Sequence, residues 1–195
     1  MKLTFKNDTF KILQIADTQE GRKVSPDTLA LINAALDREE PDLVVYSGDQ
    51  IWGRGFHGDV NQVRRVLKEL TAPVVERHLP FAICFGNHDR QVGLDNRAQF
   101  DIYKEIPGFI GEDTPGVDGV GNCVLEIADG DRPGYLLYLI DSHSSLKVGY
   151  DHVHQNQIDW YRGVRDSYEK HTATPFPPLS FSTFPCARCL TCSRR

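Results

Sequence analysis

Three short apolar runs, each ending in a cluster of acid and amide side chains, constrain this chain more than any other feature. The first, Thr9-Phe10-Lys11-Ile12-Leu13-Gln14-Ile15-Ala16, leads into Asp17-Thr18-Gln19. The second, residues 42–47, ends in Gly48-Asp49-Gln50, and the third, residues 81–85, ends in Gly86-Asn87-His88-Asp89. Helical signals fill the gaps. Ser25-Pro26-Asp27 reads as an N-cap followed by Pro in the first turn, and Leu29, Ile32, Ala35 and Leu36 then fall on one helical face until Pro41. A second helix is expected over residues 59–79, with Val63, Val66, Leu67 and Leu70 on one face and a kink or break at Pro73. Nearly continuous apolar strands alternating with helices imply buried parallel strands joined by crossovers.

After a helix near residues 96–104 the pattern changes. Residues 119–128 and 135–141 read as consecutive strands joined by Asp129-Gly130-Asp131, and a last amphipathic helix over 155–168 carries Ile158, Trp160, Tyr161 and Val164. The expectation is an α/β chain with one domain over residues 1–172 and an irregular, non-native tail over 173–195. At 195 residues, 40% hydrophobic and 25% charged, disordered, collagenous and coiled-coil classes are excluded. A net charge of −5 with no basic stripe argues against binding a nucleic-acid duplex. No run approaches the roughly eighteen apolar residues of a membrane span, and the N-terminus lacks a signal-peptide stretch. A cytoplasmic address without a membrane is therefore expected. Cys84 and Cys123 lie in apolar runs and read as reduced core residues.

The clusters carry the chemistry. In an open α/β sheet ligands bind at the carboxyl ends of the strands, so the three clusters should converge. Their carboxylate, amide and imidazole groups suit Mn, Fe, Zn or Mg better than a thiolate-preferring metal. One such cluster alone is often a helix cap or a turn. Three in register on three parallel strands are not.

Asp17-x-Gln19, Gly48-Asp49 and Gly86-Asn87-His88-Asp89, in this order, resemble the first three motifs of calcineurin-like metallophosphoesterases. The resemblance covers about residues 9–168. It is nearest, through 10–17 and Leu139-Ile140-Asp141-Ser142-His143, to the branch related to purple acid phosphatases. It implies a β-sandwich of two sheets flanked by helices, and two divalent or trivalent metal ions. It also implies hydrolysis of a phosphomonoester or phosphodiester, on a phosphorylated small molecule or protein, by a metal-activated hydroxide. Asp17 would hold the first metal, Asp49 would bridge both, and Asn87 would hold the second. His88 would contact the phosphate and act as general acid. A carboxylate is the natural bridge because it has two acceptor oxygens, and a protonated His can release a proton near neutral pH.

Two positions depart from the pattern. Gln19 stands where the family usually has His and offers a neutral, weaker donor. Trp52 stands where purple enzymes have their iron-binding Tyr, so no charge-transfer colour is expected. The family also completes its site with a later His, often in His-x-Pro, and with Gly-His-x-His; neither follows His88 here. His152-x-His154 reads as a solvated loop pair. His143 reads as bordering the pocket or as structural, and His57, His78 and His171 read as surface residues.

Cys186, Cys189 and Cys192 would leave a zinc or iron–sulfur site a ligand short. If Phe181 to Cys186 are encoded TTT TCC ACA TTC CCC TGC, the third reading position gives TTC CAC ATT CCC CTG. That encodes Phe-His-Ile-Pro-Leu after the strand-like 176–180. The tail after about Ser180 is therefore expected to be a frameshift product, with the fold incomplete at the C-terminus. Two other readings compete with an active phosphohydrolase: a non-catalytic remnant with an incomplete dinuclear site, and a metal-binding module formed by the Cys tail.

Overall fold

The computed structural model describes residues 2–53, 55–172 and 178–182. Among them the elements follow in the order β1 (Leu3–Thr4), β2 (Ile12–Ile15), α1 (Pro26–Glu39), β3 (Leu43–Ser47), α2 (Val60–Glu76), β4 (Phe81–Cys84), α3 (Asn96–Lys104), β5 (Cys123–Asp129), β6 (Arg132–Leu139), α4 (Gln155–Thr172) and β7 (Pro178–Phe181). The three apolar runs form one parallel sheet in the order β2-β3-β4, with Ile15 opposite Tyr46 and Tyr46 opposite Ile83. The expected pair of later strands is an antiparallel hairpin, β5-β6, inside a second sheet ordered β1-β5-β6-β7.

Strand alternation decides the layering. Leu43 and Val45 of β3, with Ala82 and Cys84 of β4, face the second sheet, where they meet Cys123, Leu125, Ile127, Leu137, Leu139 and Phe181. Val44 and Tyr46 point the other way, into a core closed by Ile32 and Leu36 of α1, Val63, Leu67 and Leu70 of α2, and Phe100 and Tyr103 of α3. The outer face of the second sheet, through Leu136 and Tyr138, takes Trp160, Tyr161 and Val164 of α4. The result is helix, sheet, sheet, helix, as the family resemblance implies. Cys84 and Cys123 are free and buried between the sheets. No helix among the described residues is long and apolar enough to cross a membrane.

Local chemistry explains the helix ends. The Ser25 side chain accepts from Asp27 N with Pro26 at the first helical position, and the Asp59 carboxylate accepts from the amides of Asn61 and Gln62 at 3.0 and 3.2 Å. The expected break at Pro73 does not occur: α2 runs through it. An interior Pro costs about 3 kcal/mol. Here the fully buried stripe of Val63, Val66, Leu67, Leu70 and Val74 outweighs that cost. Arg77 also donates to the Pro73 carbonyl at 2.9 Å.

Within the segment 173–195, expected to be irregular apart from the strand-like run 176–180, residues 178–181 form β7 beside β6, with Leu137 opposite Leu179 and Leu139 opposite Phe181. Phe181 inserts between the sheets at 8% exposure, and its carbonyl accepts from Ile140 N at 3.0 Å. A short apolar run beside an open strand edge is enough to pair it. The rest of the expected tail, with Cys186, Cys189, Cys192 and the proposed frameshift segment, lies outside the described residues, as does the side chain of His171.

Candidate metal centre

The three clusters meet at the carboxyl end of the parallel sheet. β2 and β3 continue past their strand limits as adjacent loops: Asp17 N donates to Gly48 O at 3.1 Å, Gln19 N to Asp49 O at 2.9 Å and Glu20 N to Gln50 O at 3.0 Å. The β4 loop closes from the other side, where His88 N donates to Asp49 Oδ1 at 2.8 Å. Asp17, Gln19 and Asp49 all have left-handed backbones, with φ of 55°, 46° and 55°. Non-glycine residues in that region are uncommon and cluster at functional sites. Gly86 permits the closure, because a Cβ there would lie 2.0 Å from Asp49 Oδ1.

Asp49 is 4% exposed, Asn87 and His88 are half-buried, and Asp17 is exposed. Burial holds the Asp49 carboxyl above the usual carboxylate range; the His88 amide opposes the rise, and the Asp17 charge adds to it. A buried carboxylate with a second carboxylate's charge beside it suits a cation between the two. The donor set of two carboxylates and two amides fits hard or borderline divalent ions.

Two residues to which the sequence assigns no role organise this centre. Asp89, 1% exposed, accepts from Gly86 N at 2.7 Å, Asp49 N at 3.0 Å and Ile51 N at 3.1 Å. One carboxylate thus ties the β3 and β4 loops together. Burial pushes its pKa up to about 7 against those amides, and the Asp49 charge adds to the rise. Its place at the end of Gly-Asn-His-Asp is the signal that marks it. Gln91 Oε1 lies 3.0 Å from His88 Nδ1. The Trp52 ring meets the His88 ring edge-on at 5.6 Å. Gly53 lets the Trp52 loop sit there, since a Cβ would fall 2.2 Å from the Gln91 carbonyl.

The remaining histidines divide. His57 and His78 are exposed. His143, just past β6, adjoins Ser144, whose hydroxyl donates to the Asn87 carbonyl at 3.3 Å. His154, expected to be a solvated loop residue, is instead drawn in against His143, with ring centroids 4.0 Å apart.

Facing sheets between helices, with carboxylate, amide and imidazole side chains on the parallel strand ends, define a metallophosphoesterase-type fold. The chain matches the family described as calcineurin-like phosphoesterase over residues 10–177, and it belongs to that family. It is 30% identical to Phosphatase DCR2 of Saccharomyces cerevisiae, over 80% of this chain and 32% of that protein. It is 28% identical to an Arabidopsis thaliana protein named probable inactive purple acid phosphatase 14, over 92% of this chain and 53% of that one. The chain therefore spans about a third to a half of the length of these relatives. Among solved structures, a dimetal phosphatase from Danio rerio superposes with a TM-score of 0.64 at 15% identity, over 92% of this chain and 71% of that chain, which supports the fold. Membership places the chain in a phosphoesterase family whose fold implies divalent metal ions.

Proposed function

We propose that this chain hydrolyses phosphomonoesters or phosphodiesters with two cations (Mn, Fe, Zn or Mg) held by Asp17, Gln19, Asp49 and Asn87, with Asp49 shared between them. The observation that carries this reading is the mutual approach of Asp17, Asp49 and His88 at the strand ends, latched by Asp89. When bound, such ions supply positive charge to the phosphoryl oxygens and lower the pKa of a coordinated water.

The chain's own groups do the rest. Asp49, nearly out of solvent, keeps its carboxylate fixed through the His88 amide, so the site needs little reorganisation when charge develops. His88 donates through Nδ1 to Gln91, which leaves Nε2 to release a proton to the leaving oxygen. Trp52 packs on the same ring and limits its rotation. The substrate is a phosphorylated small molecule or protein.

A second reading, metal binding without turnover, is favoured by one feature: no imidazole stands among the four proposed ligands, because Gln19 is a neutral amide. Metal-titrated hydrolysis of p-nitrophenyl phosphate and bis(p-nitrophenyl) phosphate separates the two. Turnover that needs added metal and vanishes in Asp49→Ala supports the enzyme. Metal binding lost in Asp49→Ala, with no turnover in the parent, supports the second reading.

A further inference from the structure

Outside the strand-end centre, His143, Asp151 and His154 each bring one ligand atom within 4.8 Å of the other two. His154 Nε2 is already 3.2 Å from Asp151 Oδ1. Donors on one tetrahedral Zn²⁺, each at about 2.0–2.2 Å, stand about 3.4 Å apart, so one contact of the three is at bonding spacing and the others need a small closure.

The neighbours fix which nitrogens are free. Gln157 is fully buried, and its Nε2 donates to Asn122 Oδ1 at 2.9 Å and to Asp141 O at 2.6 Å. Its Oε1 is therefore the acceptor, taking His154 N at 2.7 Å and facing His143 Nε2 at 3.1 Å. His143 must carry its proton on Nε2, which leaves the Nδ1 lone pair. His154 Nδ1 lies 2.9 Å from Asp118 Oδ2, which leaves Nε2, 3.2 Å from Asp151 Oδ1, as the nitrogen that a cation would share with that carboxylate. Each imidazole thus gives its second N–H to a carboxylate or amide oxygen, the outer support that metal-ligating histidines usually have. The stacked rings, 4.0 Å between centroids at 23°, cannot both be protonated without repulsion. His143 also holds a left-handed backbone, φ 66°, which costs free energy that a bound ion would offset.

We infer that His143, Asp151 and His154 form a separate site for one borderline divalent cation of the Zn²⁺ type, with Asp118 and Gln157 as its outer support. Two imidazoles and a carboxylate favour Zn²⁺, Co²⁺ or Ni²⁺ over Mg²⁺ and Ca²⁺, which prefer all-oxygen shells. The cation pins residues 143–154 beside the Asn87 loop, which the Ser144 hydroxyl already touches. The competing occupant is a proton on His154, which Asp118 and Asp151 both favour.

The test uses the full chain with Cys186, Cys189 and Cys192 changed to Ser, so that tail thiols do not bind the probe. After chelator treatment, Zn²⁺ is titrated by calorimetry into this chain and into its Asp49→Asn, His154→Ala and Asp118→Asn versions, with thermal melts verifying folding. The Asp49→Asn chain should retain one Zn²⁺ equivalent, and adding His154→Ala should remove it. Asp118→Asn should weaken that equivalent 10–100-fold. In ¹⁵N-histidine spectra, Zn²⁺ should shift His143 Nδ1 and His154 Nε2 at fixed pH. Should His154→Ala unfold, His143→Ala takes its place, and the loss of the Zn²⁺ equivalent and of the His154 Nε2 shift is expected there instead. If the Asp49→Asn chain binds no Zn²⁺, or if only pH moves those resonances, the cluster is a proton-bridged contact and the inference fails.

Discussion

Asp89 is the residue whose removal should cost most for its size. It accepts three backbone N–H groups, from Gly86, Asp49 and Ile51, and it is almost wholly buried. Removing the carboxylate leaves those donors without their acceptor, at about 1–3 kcal/mol each. Three would sum to about 3–9 kcal/mol, and water entering the vacated space should bring Asp89→Ala to the lower part, about 3–5 kcal/mol. Asp89→Asn keeps one acceptor oxygen, enough for the Gly86 and Asp49 pair, and turns an NH₂ toward Ile51 N. It should therefore lose one bond and cost about 1–3 kcal/mol. Urea unfolding followed by tryptophan fluorescence, in chelator so that metal binding does not contribute, reads both. With a slope of about 2 kcal/mol/M, the Ala midpoint should fall by about 1.5–2.5 M and the Asn midpoint by about 0.5–1.5 M. If the Ala change moves the midpoint by under about 0.5 M, or if Asn costs as much as Ala, Asp89 does not latch the two loops together.

Further outcomes follow from the same contacts. Gly86→Ala puts a methyl 2.0 Å from Asp49 Oδ1, so it should displace that carboxylate and weaken metal binding by at least tenfold; calorimetry with unchanged affinity would contradict this. Leu67→Ala, at a fully buried position on α2, should destabilise by about 2–5 kcal/mol in urea unfolding. The Tyr138 hydroxyl is buried with no hydrogen-bond partner among the described residues, so Tyr138→Phe should leave the melting temperature unchanged or raise it. Burial acts upward on Asp42, yet the Lys11 amide and the Lys6 and Lys11 charges hold its carboxyl below the usual range. Its stabilising effect is present above the unfolded pKa of about 3.9 and lost as pH falls through the lower folded value. The stability gap between the parent and Asp42→Asn should therefore be widest at neutral pH and close in acid titration.

What the sequence made legible was local. β2, β3 and β4 were readable because each is an apolar run bounded by polar residues, and Gly-Asn-His-Asp marked the candidate site at their ends. The Asp59 cap marked the start of α2 in the same way. What stayed hidden depends on partners distant in the chain. Leu3–Thr4 is too short to carry a strand pattern and is held by pairing with Ile127 and Ala128 and by the burial of Leu3. Proline breaks helices by local rule, and the buried apolar face of α2 overrides it at Pro73. Asp89 reads as the tail of a motif until three amides from two loops are seen to converge on it. His143 and His154 are eleven positions apart on opposite ends of a loop, and the buried amide of Gln157 that joins them carries no sequence signature.

The central claim is that the strand-end cluster is a metal centre, and an anomalous difference map from a Mn²⁺-soaked crystal of the chain tests it most directly. Anomalous density is expected within about 2.0–2.4 Å of an Asp49 oxygen, shared with Asp17 or Asn87. Manganese bound elsewhere with none at Asp49, at a concentration that supports hydrolysis, would contradict it.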